Sequence, residues 1–403
     1  MTVTEPIDIP KTMRAMRLER PRPAGERPLA LVEMPVPLPG PGEVLIAVHT
    51  CGVCHTDLHT VEGELEPHRS PVVPGHQIVG EVVALGEGAD TAPAGGEPDG
   101  APLRLGERVG VPWLWRACGT CRYCRRGDEN LCENALFTGY DVDGGYAEYT
   151  VAPAAFVYRL PDMPDLDVAP LLCAGIIGYR CLRLTGVVSG AALPGGGAAG
   201  RSGAEAAGAG AGKAARGAGR RLGLYGFGAA AHICLQVAVH HGWEVYVFTR
   251  GEEHRALARE LGAVWAGAAG EEPGGAAAGG GAIASDAAAP AAAGARLDAA
   301  IVFAPAGQLA LDALRACDKG GVVALGGIYS SPIPPIDYPV IYDERVLRSV
   351  ANSTRQDARE LLRVAGEIPI KTEVEPFDLE EANEALLALK EGRIRGAAVL
   401  RIR

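Results

Sequence analysis

Through roughly the first 160 residues the apolar positions fall in short runs, such as VLIAV at 44–48 and IVGEVVA at 78–84, each bounded by Gly or Pro. Runs of this length, rich in β-branched residues and closed by turn formers, predict strands. The domain they predict is barrel-like. From residue 222 the pattern changes: apolar strands at 222–225 and 245–248 alternate with helical stretches at 229–241 and 252–261, and further strands are expected at 299–303 and 321–325. Such alternation marks βαβ units around a parallel sheet. A helical stretch at 379–391 and a last strand at 397–402 are expected to return to the first domain. The class is therefore α/β, with residues 1–180 and 349–403 in one domain and 181–348 in the other.

Three stretches do not fit either pattern. Between positions 189 and 219, 23 of 31 residues are Gly or Ala, and 266–295 is similarly biased. Gly is entropically costly to order and Ala buries little surface, so both tracts are expected as mobile surface insertions without a binding role. A polar insertion at 86–106 is expected between two strands.

Chemistry enters with the cysteines. Cys118, Cys121, Cys124 and Cys132 lie within one short lobe, and four thiolates at this spacing can surround Zn²⁺ with no position left for water. Such a site holds a loop together. A second, scattered set, Cys54, His76 and Cys173, offers three donors and leaves a fourth position for substrate. Two zinc ions per chain are therefore expected. Cys51, Cys181, Cys234 and Cys317 are expected as buried thiols.

Gly226-Phe-Gly228-Ala-Ala-Ala231 follows one predicted strand and opens a predicted helix, the context in which a G-x-G-x-x-G/A pattern binds a dinucleotide. Gly226 permits the tight turn, Gly228 lets the backbone approach a pyrophosphate, and the helix N-terminus offers its N–H groups. The end of the next strand, where an acidic residue would bind the ribose hydroxyls of NAD, carries Thr249-Arg250. A cation there suits a 2′-phosphate, so NADP is favoured over NAD.

With 38 Lys and Arg against 49 Asp and Glu, the chain carries a formal charge of −11, which gives no electrostatic drive toward nucleic acid or an anionic membrane. The sequence shows neither a long apolar run nor a charged-then-apolar leader, and ten cysteines with metal-ligand spacing suit a reducing compartment. A cytoplasmic location is expected, and no membrane or nucleic-acid partner.

The motifs C51-G-V-C-H-T-D-L-H59, P74-G-H-Q-I-V-G80, the four-cysteine lobe, G144-G-Y-A-E-Y149, A169-P-L-L-C-A-G175 and the Gly-rich turn occur in one order. In that order the chain resembles the zinc-dependent medium-chain alcohol dehydrogenases. The resemblance implies a GroES-like β-barrel catalytic domain, a Rossmann doubly wound coenzyme domain and a cleft between them. It also implies NAD(P)-linked exchange of hydride between alcohols and aldehydes or ketones, commonly in a homo-oligomer. It selects Cys54 over Cys51 as a ligand beside His76 and Cys173. By the same resemblance Asp57 orients the histidine ligand, Thr56 exchanges the substrate proton, His59 passes it outward, His55 meets the coenzyme pyrophosphate and Trp113 walls the substrate pocket. Two departures are visible. Gln77 stands where a glutamate is common, and Ala397, with Arg395 nearby, stands where an arginine often holds the coenzyme. A polyol or formaldehyde dehydrogenase on the same fold is the alternative enzyme, and a zinc-bearing nucleic-acid or protein-interaction module a remote one.

Overall fold

The computed structural model describes residues 9–96, 100–188, 219–271 and 296–403. Nearly all of the Gly/Ala tract expected as an insertion at 189–219 and most of that at 266–295 lie outside these residues. The insertion at 86–106 does run between two strands, Ile78–Leu85 and Arg108–Val111.

The chain divides into two compact units, one of residues up to Ile176 with Asn352–Arg403, the other Ile177–Ala351. The division falls inside the helix Ala174–Leu184, a few residues before the expected boundary.

The first unit is organised by one long strand, Glu43–Val53. Its residues Val44, Ile46 and Val48 are fully buried, each worth roughly 1.5–3 kcal/mol of apolar transfer. One edge of the strand pairs along much of its length with Ile78–Leu85. The other edge is shared: Tyr149–Pro153 takes residues 43–47 and Ala397–Arg401 takes 50–53. Irregularities at Leu45/Ile46 and Val48/Thr50 bend the strand enough to serve these partners. The seven-stranded sheet then runs from Val374–Asp378 at one end to Tyr158–Arg159 at the other. Among the described residues those ends do not pair, so the barrel-like, GroES-like sheet that was expected is an open one. Strong local twist curls it without closing the hydrogen-bond ladder.

The second unit is a six-stranded parallel sheet in the order Trp265–Gly267, Glu244–Phe248, Arg221–Tyr225, Leu297–Val302, Cys317–Leu325, Val346–Ser349. Numbered along the chain this order is 3-2-1-4-5-6, the doubly wound arrangement. Helices Ala229–His240, Glu252–Glu260 and Gly307–Ala316 connect the strands. Ala266 and Gly267, expected in a mobile tract, belong to an edge strand. Pairing with Tyr246–Phe248 overrides their weak propensity.

Candidate active site and metal centres

Strand register brings two of the three scattered donors together. Cys51 lies opposite Ile78 in the antiparallel pair, so the residues just beyond, Cys54 and His76, leave the same end of the sheet. Cys54 ends its strand in extended backbone and becomes the N-cap of helix His55–Glu62, its sulfur accepting from the Thr56 N–H at 3.3 Å. Asp57, three residues into the helix, closes a reciprocal capping box by accepting the Cys54 N–H at 3.0 Å. Its other oxygen takes His76 Nδ1 and the Gly75 N–H, each at 3.1 Å. A single buried carboxylate therefore fixes the backbone of one donor and the ring of the next. With Nδ1–H committed to Asp57, the His76 Nε2 lone pair points at Cys54 Sγ, 3.1 Å away.

The segment G144-G-Y146 builds the floor of this turn, a role the sequence did not disclose. Gly144, Gly145 and Tyr146 donate to the carbonyls of Val73, Gly75 and Pro74. Gly75 has φ +98°, and a Cβ there would lie 2.3 Å from the Tyr146 ring. Only glycine lets the ring close over the loop that carries His76.

Cys173 follows the buried 3-10 turn Ala169–Leu172, and its sulfur lies within 4.8 Å of both Cys54 Sγ and the His76 donor nitrogen. The hydrogen bond from Cys173, with the nearby imidazole, holds the Cys54 thiol well below its ordinary pKa. Against the cost of burial, the charges of Asp57 and Cys54 raise His76. Two sulfurs and an imidazole nitrogen from three chain segments form a borderline-soft donor set of the kind that binds Zn²⁺ with an open position.

The lobe is equally specific. Cys118 Sγ accepts from the Cys121 N–H, Cys121 Sγ from the Cys124 N–H and Cys132 Sγ from the Cys118 N–H. Backbone and hydroxyl donors of Thr120 draw Cys118 down to about 6, while burial pushes Cys124 up to about 12. The Sγ–Sγ separations of 3.5 and 3.9 Å bracket the edge of about 3.8 Å expected for a thiolate tetrahedron around zinc. They are far beyond the S–S bond length of about 2.05 Å in a disulfide. Cys51, Cys181, Cys234 and Cys317 are buried thiols that form no disulfide, as expected.

Thr56 and His59 lie three positions apart on helix His55–Glu62, close enough to share a face, but no hydrogen bond joins their side chains among the described residues. His59 Nδ1 instead meets Glu64, an acceptor the sequence reading missed. His55 is exposed. The Trp113 ring stands edge-on to His76, centroids 4.8 Å apart, and stacks on Phe137. Gln77 is buried, with its side chain packed over Gly52 on the long strand. Arg395 is paired with Glu373.

In the second unit Gly226 has φ +90°, and a Cβ there would come within 2.9 Å of the Ala304 nitrogen. Gly228 is the N-cap of Ala229–His240, and nothing lies within 4 Å of its Cβ position, which leaves room for a ligand at the backbone. Ala231 is fully buried under the turn. Thr249 is buried at the end of its strand, its carbonyl accepting from Arg255 Nε, and Arg250 is exposed.

The folds and sites define a two-unit dinucleotide-binding zinc protein. Residues 40–162 match the alcohol dehydrogenase GroES-like domain and 230–367 match the zinc-binding dehydrogenase domain. A probable alcohol dehydrogenase of Mycobacterium tuberculosis is 45% identical over 97% of this chain and 98% of its own, and an alcohol dehydrogenase of Geobacillus stearothermophilus is 33% identical over 94% and 97%. Among solved structures, an acetophenone reductase of Geotrichum candidum in complex with NAD superposes with a TM-score of 0.73 at 25% identity, covering 98% of both chains. The chain belongs to the zinc-dependent medium-chain alcohol dehydrogenase family.

Proposed function

We propose that this protein is an NAD(P)-linked alcohol dehydrogenase and aldehyde reductase whose reaction centre is Cys54, His76 and Cys173. The observation that carries the reading is the triple use of Asp57, which ties the Cys54 backbone and the His76 ring into one rigid pair beside Cys173. When bound, zinc at these donors supplies Lewis-acid polarisation of the substrate oxygen, and the nicotinamide coenzyme accepts or donates the hydride.

The chain's own residues do the rest. Asp57 keeps His76 in the Nδ1–H tautomer, so that Nε2 remains a donor. Thr56, in the first turn beyond Cys54, takes the hydroxyl proton of the alcohol, and His59 one turn on delivers it outward with Glu64 as its hydrogen-bond partner. The open N-terminus at Gly228 binds the pyrophosphate, and the exposed His55 is a basic contact for the coenzyme. Cys118, Cys121, Cys124 and Cys132 hold the second zinc.

Metal analysis should find two zinc ions per chain, and reduction of coenzyme should be seen at 340 nm with simple primary alcohols. The panel should include polyols and glutathione-trapped formaldehyde. A protein with both ions and no turnover on any alcohol or aldehyde would overturn the reading.

The preference is for NADP, supported by the lack of a carboxylate at Thr249-Arg250. Thr249→Asp is expected to weaken NADPH about tenfold more than NADH, through repulsion of the 2′-phosphate and new bonds to the ribose. Steady-state kinetics with both coenzymes decide this, and an unchanged ratio would show that the loop does not read the phosphate.

The protein acts as a homo-oligomer. Ile328, Tyr329, Ile333, Tyr338, Tyr342 and Val346 are large apolar side chains left exposed in and before the edge strand Val346–Ser349, and such clusters mark interfaces. Light scattering should give a multiple of 41.7 kDa. No helix among the described residues is long and apolar enough to cross a membrane, and a cytoplasmic location accords with ten cysteines in no disulfide.

A further inference from the structure

Trp113 is held from a remote part of the chain. Its indole Nε1–H donates to Asn352 Oδ1 at 3.2 Å, across 239 positions of sequence. The Asn352 amide then donates from Nδ2 to the backbone carbonyl of Asn130 at 3.4 Å. The orientation is internally consistent, because an indole N–H can only donate and a carbonyl can only accept, so each end of the amide faces its complement. Asn352 adopts φ +54°, a left-handed conformation that asparagine tolerates better than bulkier residues.

The surroundings make this amide a strut rather than a loose contact. Three residues on, Arg355 clamps Glu129 through its backbone N–H at 2.8 Å and its guanidinium at 2.7 and 2.9 Å. Thr354 and Asp357 cap the helix Arg355–Glu367 behind it. The segment 352–355 is thus fastened to 129–130, inside the stretch between Cys124 and Cys132. On its other side Asn352 reaches the ring that stands edge-on to His76 and is backed by Phe137.

We propose that Asn352 is a specificity-determining positioning residue, which fixes the Trp113 ring against His76 from the cysteine lobe and so sets the width of the substrate space. The proposal rests on Cys54, His76 and Cys173 being the reaction centre. A fixed indole beside His76 admits small or flat alcohols and rejects branched ones. Released from Asn352, the ring can turn about its side-chain bonds, and the space widens. The lobe thereby acts on selectivity as well as on stability, through one amide.

Asn352→Gly is the suitable variant, because glycine keeps the left-handed backbone while removing both hydrogen bonds. Asn352→Asp keeps the acceptor for the indole and loses only the donor to Asn130. One hydrogen bond is worth about 1 kcal/mol, so Asn352→Gly should change the ratio of kcat/KM between a small primary alcohol and a branched one about fivefold. Most of the change should lie in a raised KM for the small alcohol. Asn352→Asp should recover most of the parent ratio. In a Trp113→Phe background, where no N–H exists, Asn352→Gly should leave the ratio nearly unchanged, as a double-mutant cycle requires of a coupled pair.

A readout independent of turnover is the exchange of the Trp113 indole proton, assigned in ¹⁵N-tryptophan-labelled protein by its loss in Trp113→Phe. It should be slow in the parent and in Asn352→Asp, and fast in Asn352→Gly. An active parent whose indole exchange and substrate ratio are unmoved by Asn352→Gly, or a ratio that moves equally in the Trp113→Phe background, would overturn the proposal. A parent that oxidises no alcohol would overturn the functional reading, and the claim on substrate width with it.

Discussion

Cys54→Ala is expected to yield a folded protein with one zinc ion instead of two and less than about one thousandth of the parent activity, since Lewis-acid stabilisation is worth several kcal/mol and each 1.4 kcal/mol is tenfold. The fold should survive because the hydrogen bonds that Asp57 makes around the site do not depend on the sulfur. Asp57 still accepts the backbone N–H of residue 54, His76 Nδ1 and the Gly75 N–H. What is lost is the helix cap to Thr56, worth about 1 kcal/mol, and the contacts of His76 Nε2 and the Cys173 thiol with the sulfur. Circular dichroism and thermal melting should therefore change little, while metal analysis and turnover change greatly. A variant that keeps both ions would remove Cys54 from the reaction centre.

Cys121→Ala should do the reverse. The lobe between Arg116 and Phe137 has little regular structure, a short antiparallel pair Leu114–Arg116 with Leu136–Phe137, one turn of α-helix, Arg122–Arg125, and a 3-10 turn, Glu129–Leu131. Its order comes mostly from four sulfurs and the N–H groups aimed at them, and in such sites metal binding is folding free energy. Loss of about 3 kcal/mol would lower Tm by about 6–12 °C in a unit of this size. Zinc should fall to one ion per chain, and proteolysis should concentrate in the lobe. Because Glu129 and Asn130 grip Arg355 and Asn352, the damage should spread to the substrate profile before turnover is lost. A variant melting with the parent would show that the lobe is held by something other than its cysteines.

Much of this molecule could be read from sequence because the relevant spacings are local. The four lobe cysteines, the strand-turn-helix around Gly226 and Gly228, and the run from Cys54 to His59 each announce themselves within about fifteen residues. The alternation of strands and helices likewise gave the parallel sheet, though not the edge strand Trp265–Gly267, whose Ala and Gly have no intrinsic tendency to be there. What escaped notice depends on contacts between distant segments. The clasp of residues 144–146 on the His76 turn, the Glu64 partner of His59 and the strut from Asn130 through Asn352 to Trp113 carry no periodicity and no spacing rule. That the barrel-like sheet stays open was not legible for a related reason. Alternating runs report strands, but whether the first and last strands of a sheet meet depends on accumulated twist, which no single run records.

The hydrogen bond from the Thr56 N–H to Cys54 sulfur has an electronic consequence beyond capping. Sulfur that accepts an N–H, at the positive end of a helix, gives up part of its electron density to that donor and becomes a poorer base. Were Cys54 to hold a cation, the sulfur would give it less charge than a bare thiolate, and the Lewis acidity supplied to a substrate oxygen would be greater. The turn that starts the helix would in this way also set the electron demand of the site, adjustable by backbone geometry without changing any of the three proposed donors.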